Sequence, residues 1–105
     1  MSELSPQEVA EMLNERNDVQ LVDVRRRDEH EAGRIAGSRH IELELLPAEA
    51  GSLDRDRPIV FYCRSGNRSE LAAQAFGAAG FEAHNLGGGL LAWRDAGLTF
   101  DGGVA

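Results

Sequence analysis

Residues 58–80 read PIVFYCRSGNRSELAAQAFGAAG. An apolar run, a polar turn containing glycine and an alanine-rich stretch follow one another without a linker. "IVFY" (59–62) shows no polar alternation, the pattern of a strand buried on both faces. Pro58 fits the first position of such a strand, where a missing N–H is tolerated. Residues 68–80 predict a helix whose alanines permit close approach to a sheet and whose stop is Gly80. Strand, tight loop and helix make half of a βαβ unit, and the rest of the chain repeats the theme.

Towards the N-terminus, "QLVDV" (20–24) is a second buried-strand run with one carboxylate near its end. Before it, Ser5 is a candidate N-cap, Pro6 fits the first helical position and Glu8 completes an S-x-x-E capping box. Leu4 and Val9 are spaced as a hydrophobic staple, and the helix is expected to reach about Arg16. "RDEHEAGR" (27–34) predicts a short polar helix stopped at Gly33, "SRHIEL" (38–43) a short strand, and "PAEAGSLDRDR" (47–57) a loop or helical turn. Towards the C-terminus, "EAHNL" (82–86) is a weaker strand and "LLAWRDA" (90–96) a last helix ended by Gly97. This alternation implies one α/β domain over residues 1–105, with a parallel sheet covered by helices on both faces. Ligands of such sheets sit at the carboxyl ends of the strands, where Cys63 and Asp23 both fall.

"CRSGNRS" (63–69) holds the only cysteine, between an apolar strand and two arginines, in a chain of net charge −7. A lone cysteine after such a strand is most simply an inert buried residue. The surroundings argue for a nucleophile instead. Arg64 and Arg68 stand close in sequence, the loop enters the positive end of a helix, and Gly66 lets successive N–H groups turn inward. All of these favour a thiolate or another anion. Ser65 and Ser69 add hydroxyl donors, Asn67 completes the loop, and no acidic residue interrupts it.

Composition removes other classes. The acidic balance argues against nucleic-acid binding. All 11 basic residues are arginine, so no lysine chemistry is available. One cysteine excludes an internal disulfide, a CxxC pair and a thiolate zinc site. His30, His40 and His84 share no ligand spacing and are read as structural, so neither metal nor cofactor is expected. The opening residues lack a signal-peptide pattern and no apolar run approaches membrane-span length, so a cytoplasmic, membrane-free setting is expected. Trp93 reads as a core anchor, and Gly87, Gly88 and Gly89 as a tight turn near the cysteine loop; G-x-G-x-x-G is absent. Asp23 is expected to orient backbone and Arg25. For Arg25, Arg26 and Arg27, pairing with Asp28, Glu29 or Glu31 is favoured over a positive rim.

The loop resembles that of the rhodanese (thiosulfate sulfurtransferase) family, C-R-x-G-x-R-S, matched by Cys63, Arg64, Gly66, Arg68 and Ser69. "LVDVRRRDEHEAGRIAGSRHI" (21–41) resembles the family's D-V-R…E…G-H-I-P-G-A stretch, and "LGGGLLAW" (86–93) its L-x-G-G…A-W ending. Arg34, Ala36 and His30 depart from the usual His, Pro and aromatic. The family's first strand would have to fit within residues 2–4, making it minimal or absent and weakening one sheet edge.

The resemblance implies a rhodanese-like three-layer sandwich with four to five parallel strands. It also implies a Cys63 persulfide formed from an anionic donor such as thiosulfate and passed to cyanide, a cellular thiol or an acceptor protein. Arg64, Ser65, Gly66, Asn67, Arg68 and Ser69 are then the substrate-binding residues, with Asp23 and Arg25 in support. Two alternatives stay open. Phosphatases and arsenate reductases on the related fold have one residue more between Cys and Arg than the four found here. A non-catalytic rhodanese-like binding module would generally lack the cysteine.

Overall fold

The computed structural model describes residues 1–105. In chain order it contains β1 (Ser2–Leu4), α1 (Pro6–Glu15), β2 (Gln20–Asp23), α2 (Arg27–Ala32), β3 (Gly33–Arg34) and β4 (Arg39–His40). Then come α3 (Leu46–Glu49), β5 (Ile59–Tyr62), α4 (Asn67–Ala78), β6 (Ala83–Leu86), α5 (Gly89–Asp95) and β7 (Asp101–Gly102). Five strands form a parallel sheet in the order β1-β6-β5-β2-β4.

The α1 start is built as its sequence implies. The Ser5 N–H donates to the Glu8 carboxylate at 2.9 Å and the Glu8 N–H donates to the Ser5 hydroxyl at 3.1 Å. These reciprocal bonds satisfy donors that a helix start leaves open. Leu4 packs with the cluster that buries Val9, as a staple requires.

Alternation along β5 divides the interior into two cores, because successive side chains of a strand point to opposite faces. Ile59, Phe61 and Cys63 join Ala72, Ala73 and Phe76 of α4 on one face. Val60 and Tyr62 join Val9, Leu90 and Trp93 on the other, under α1 and α5. A strand buried on both sides needs apolar residues at every position, which is why 59–62 reads as a continuous run.

Several boundaries differ from the sequence reading. The strand expected over 38–43 is only Arg39–His40, because Leu43–Leu45 already turns as a 3-10 helix leading into α3. The first strand, by contrast, is minimal as expected: it occupies Ser2–Leu4 at one edge of the sheet and pairs in parallel with β6. Helix α4 begins at Asn67, one residue early, since Gly66 in the left-handed region (φ 99°) acts as its cap. The antiparallel ribbon of β3 and β7 was not anticipated. There Gly33 faces Gly102 so closely that a Cβ on Gly33 would lie 1.9 Å from the Gly103 carbonyl oxygen.

Candidate active site

The carboxyl end of β5 runs straight into residues 63–69, and the loop folds round its own cysteine. Cys63 is 1% exposed. The Gly66 N–H donates to its sulfur at 3.1 Å and the Ser69 hydroxyl at 3.3 Å. Burial opposes a thiolate. The Ser69 hydroxyl, aided by the main-chain N–H groups of Ser69, Gly66 and Ser65, outweighs burial and holds the thiol below its ordinary pKa. The positive end of α4 points the same way.

Neighbouring elements brace this ring. The buried Asn85 side chain, at the carboxyl end of β6, donates to the Gly66 carbonyl at 3.2 Å. The α5 start donates to two consecutive loop carbonyls, Leu90 N–H to Cys63 at 2.9 Å and Leu91 N–H to Arg64 at 3.1 Å. Such an approach needs glycine: a Cβ on Gly89 would lie 2.5 Å from both of those oxygens. The expected tight turn at 87–89 is therefore a clamp on the cysteine loop.

The two loop arginines diverge. Arg64 is exposed and its Nε donates to the main-chain oxygen of Ala105 at 2.8 Å. Arg68 is half-buried and grips the Glu29 carboxylate with both terminal nitrogens, at 2.7 and 3.0 Å. Arg68 holds the Glu29 carboxyl down at about 2, against the opposing effect of burial and with help from the Arg26 N–H. Neither guanidinium bonds to the sulfur; hydroxyl and amide donors perform the role the sequence had also given to the arginines. Ser65 and Asn67 are exposed on the loop's outer side, while Gly66 and Ser69 are buried inside it.

Asp23 and Arg25 are fully buried and bonded to each other. Arg25 donates to the Asp23 carboxylate at 2.7 and 2.9 Å and to the Gly33 carbonyl at 2.6 Å. Asp23 thus takes both the Nε and a terminal nitrogen of Arg25. The expected pairing of Arg25 with Asp28, Glu29 or Glu31 is not formed, because Asp23 two residues earlier lies within reach inside the fold. Arg26 does pair with Asp28, at 3.4 Å on the surface. Burial disfavours charge on Asp23, but hydrogen bonds from Arg25 and His30 prevail and lower its pKa. The His30 ring sits 2.8 Å from Asp23 and stacks on His40 with centroids 4.6 Å apart. Both histidines are built into the structure, and no group of three or more His, Cys, Asp or Glu side chains converges as a metal site.

Sequence reasoning missed Glu29 as the partner of Arg68, and Asn85. Glu29 was visible as one of four acidic residues in the 21–41 stretch, and Asn85 as a polar residue near the carboxyl end of a buried strand.

Comparison with known proteins agrees with this architecture. Residues 5–96 match the family model of the rhodanese-like domain. The chain is 33% identical over 99 residues to a protein of Allochromatium vinosum named sulfurtransferase, covering 93% of this chain and 92% of that one. It is 35% identical over 92 residues to the thiosulfate sulfurtransferase GlpE of Pseudomonas aeruginosa, covering 87% and 82%. The crystal structure of a rhodanese-related protein from Thermoplasma volcanium superposes with a TM-score of 0.87 at 25% identity, over 95% of this chain and 97% of that one. With the family model spanning most of its length and the fold and loop in agreement, the chain belongs to the rhodanese-like domain family.

Proposed function

We propose that this protein is a sulfurtransferase that moves a sulfane sulfur from an anionic donor such as thiosulfate, through a Cys63 persulfide, to cyanide or a thiol. The observation that carries the reading is the Cys63 sulfur, which faces the Ser69 hydroxyl and inward N–H groups at the start of α4. The Cys63 thiolate attacks the outer sulfur of thiosulfate; the sulfur–sulfur bond of the donor breaks and its electron pair leaves with sulfite. The same amides then face the anionic outer sulfur of the persulfide. In the second half the acceptor attacks that sulfur, and the electron pair of the broken bond returns to Cys63 as thiolate.

Sulfite leaves as a stable anion, so no general acid is needed. This accords with a site whose nearby carboxylate, Glu29, is committed to Arg68. Exposed Arg64, Ser65 and Asn67 form the outer face that meets the donor, and Arg68 holds the loop. With no second cysteine, the persulfide leaves to another molecule. A reducing compartment such as the cytoplasm suits a lone thiol of this kind.

Intact mass spectrometry after incubation with thiosulfate tests the reading. The wild type is expected to gain the mass of one sulfur atom and lose it to cyanide as thiocyanate, and Cys63→Ser to do neither. Turnover that persists in Cys63→Ser would overturn it.

A further inference from the structure

We propose that residues 98–105 form a strap that positions Arg64, leaving its two terminal nitrogens as a free fork for the oxygen-bearing end of the sulfur donor. The inference rests on the sulfurtransferase reading and names what prepares that site for an oxyanion.

The strap is anchored along its length before it reaches the cysteine loop. Leu98, Phe100 and Val104 pack on the core under α1 and α5. The Trp93 indole donates to the Thr99 carbonyl at 2.9 Å. Asp101 and Gly102 pair with Arg34 and Gly33 in the β3–β7 ribbon, and the Gly103 N–H donates to the Ala32 carbonyl at 3.0 Å. A Cβ on Gly102 would lie 2.3 Å from that same oxygen, so the approach depends on glycine. Ala32 ends α2, which carries Glu29. The strap is therefore stitched to the element that holds Arg68.

Beyond these anchors the strap meets Arg64. The Ala105 main-chain oxygen accepts from Arg64 Nε at 2.8 Å, while Nη1 and Nη2 make no bond to the protein. Residues 63–69 hold no carboxylate that could claim them. The main chain of Arg64 is fixed as well, by the Leu91 N–H on its carbonyl. An arginine held at both places has already lost much of the freedom that ligand binding would otherwise remove. With Nε taken, the end-on fork stays open, and its two parallel N–H groups suit a pair of oxygens on one head group.

The direction of attack places those oxygens. Displacement at sulfur aligns the attacking thiolate, the outer sulfur and the leaving sulfur. The oxygens of a thiosulfate drawn onto Cys63 thus point away from the buried thiolate, towards the exposed side on which Arg64 stands. Arg64 is the group that would touch the donor; Gly103, Val104 and Ala105 are positioning residues that act through it.

Steady-state kinetics of the full chain with thiosulfate and cyanide at low ionic strength test the strap. Gly103→Pro removes the N–H that bonds Ala32, and Val104→Ser weakens the apolar anchor with the backbone intact. Both are expected to raise KM for thiosulfate about fivefold, the scale of ordering one long side chain, with kcat and the KM for cyanide unchanged. Gly103→Ala keeps the N–H and its Cβ meets nothing within 4 Å, so it is expected to restore the wild-type KM. In an Arg64→Ala background neither strap variant is expected to add a further rise. A rise of the same size in that background would make the strap merely structural and overturn the proposal. An unchanged KM in Val104→Ser and Gly103→Pro would overturn it too, and a lowered one would show the Ala105 oxygen to be a competitor of the donor instead. A wild type that takes no sulfur from thiosulfate, or passes none to cyanide, would instead overturn the parent reading.

Discussion

Arg68 closes the cysteine loop but spends its charge on Glu29, gripping both carboxylate oxygens at 2.7 and 3.0 Å. The Arg26 N–H adds a third bond to the same carboxylate at 3.1 Å. This pair fastens α2 to α4 across 39 residues of sequence.

Its contribution depends on pH with a definite sign. Glu29 ionises at about 2 in the folded chain, against an ordinary 4.5. The stabilisation is therefore complete above about 4.5 and is lost as pH falls towards 2. Glu29→Gln is expected to lower stability at neutral pH by about 1–2 kcal/mol, because Arg68 keeps a partly exposed position. It should also flatten the stability profile between pH 5 and 3. Urea titrations across that range provide the check; identical slopes for the two proteins would contradict the role of the pair.

Ser69→Ala removes the one side-chain donor to the Cys63 sulfur. The thiol pKa is expected to rise, and persulfide formation at neutral pH to fall roughly tenfold, as for loss of one charge-assisted hydrogen bond. Iodoacetamide alkylation against pH reads the shift directly. Superimposable curves for wild type and variant would show that the hydroxyl does not tune the thiol.

Arg64→Ala is expected to raise KM for thiosulfate several-fold at low ionic strength, with little change in kcat. Because Arg64 is exposed, added salt should shrink the difference. A KM equal to that of the wild type at low salt would exclude Arg64 as a donor contact.

Gly89→Ala and Gly37→Ala form a matched pair. Both glycines have positive φ, 62° and 81°, so both alanines bear left-handed strain of about 1–2 kcal/mol. Only at Gly89 does the new Cβ also meet the Cys63 and Arg64 oxygens; nothing lies within 4 Å at Gly37. Gly89→Ala is expected to cut sulfur transfer roughly a hundredfold by displacing the loop, whereas Gly37→Ala leaves it near normal. Equal activity in the two variants would remove the clamp from the account.

Loop length separates sulfur from phosphoryl transfer. Four residues lie between Cys63 and Arg68, and Asn85 and the α5 start fix the ring from outside. The wild type is expected to show negligible hydrolysis of aryl phosphates beside measurable transfer to cyanide. A glycine inserted between Gly66 and Asn67 should depress sulfur transfer. Robust wild-type phosphatase activity, lost in Cys63→Ser, would reassign the enzyme.

The legible parts of this protein are those encoded locally. The run 59–62 announces a strand buried on both faces, Ser5 to Glu8 a helix start, and 63–69 an anion-binding loop before a helix. What stayed hidden depends on residues far apart. Nothing near Arg68 in sequence discloses Glu29, and the local run 38–43 does not show that Leu43 leaves the strand to bond Val24. The β3–β7 ribbon escaped because two residues per strand leave no periodicity to read, only glycines whose closeness requires the folded chain. The arginines were given part of the tuning of Cys63 because charge is visible in a sequence and the direction of an N–H is not.

The sheet is framed by its two shortest strands, β1 of three residues and β4 of two. Free strand edges are where chains recruit one another into extended aggregates, and a template that brief offers few open amide and carbonyl groups. The residues that most favour β-pairing, 59–62, lie at the centre with a partner on each side. Misassembly through them therefore requires the sheet to open first, so loss by aggregation should track unfolding rather than protein concentration in the native state.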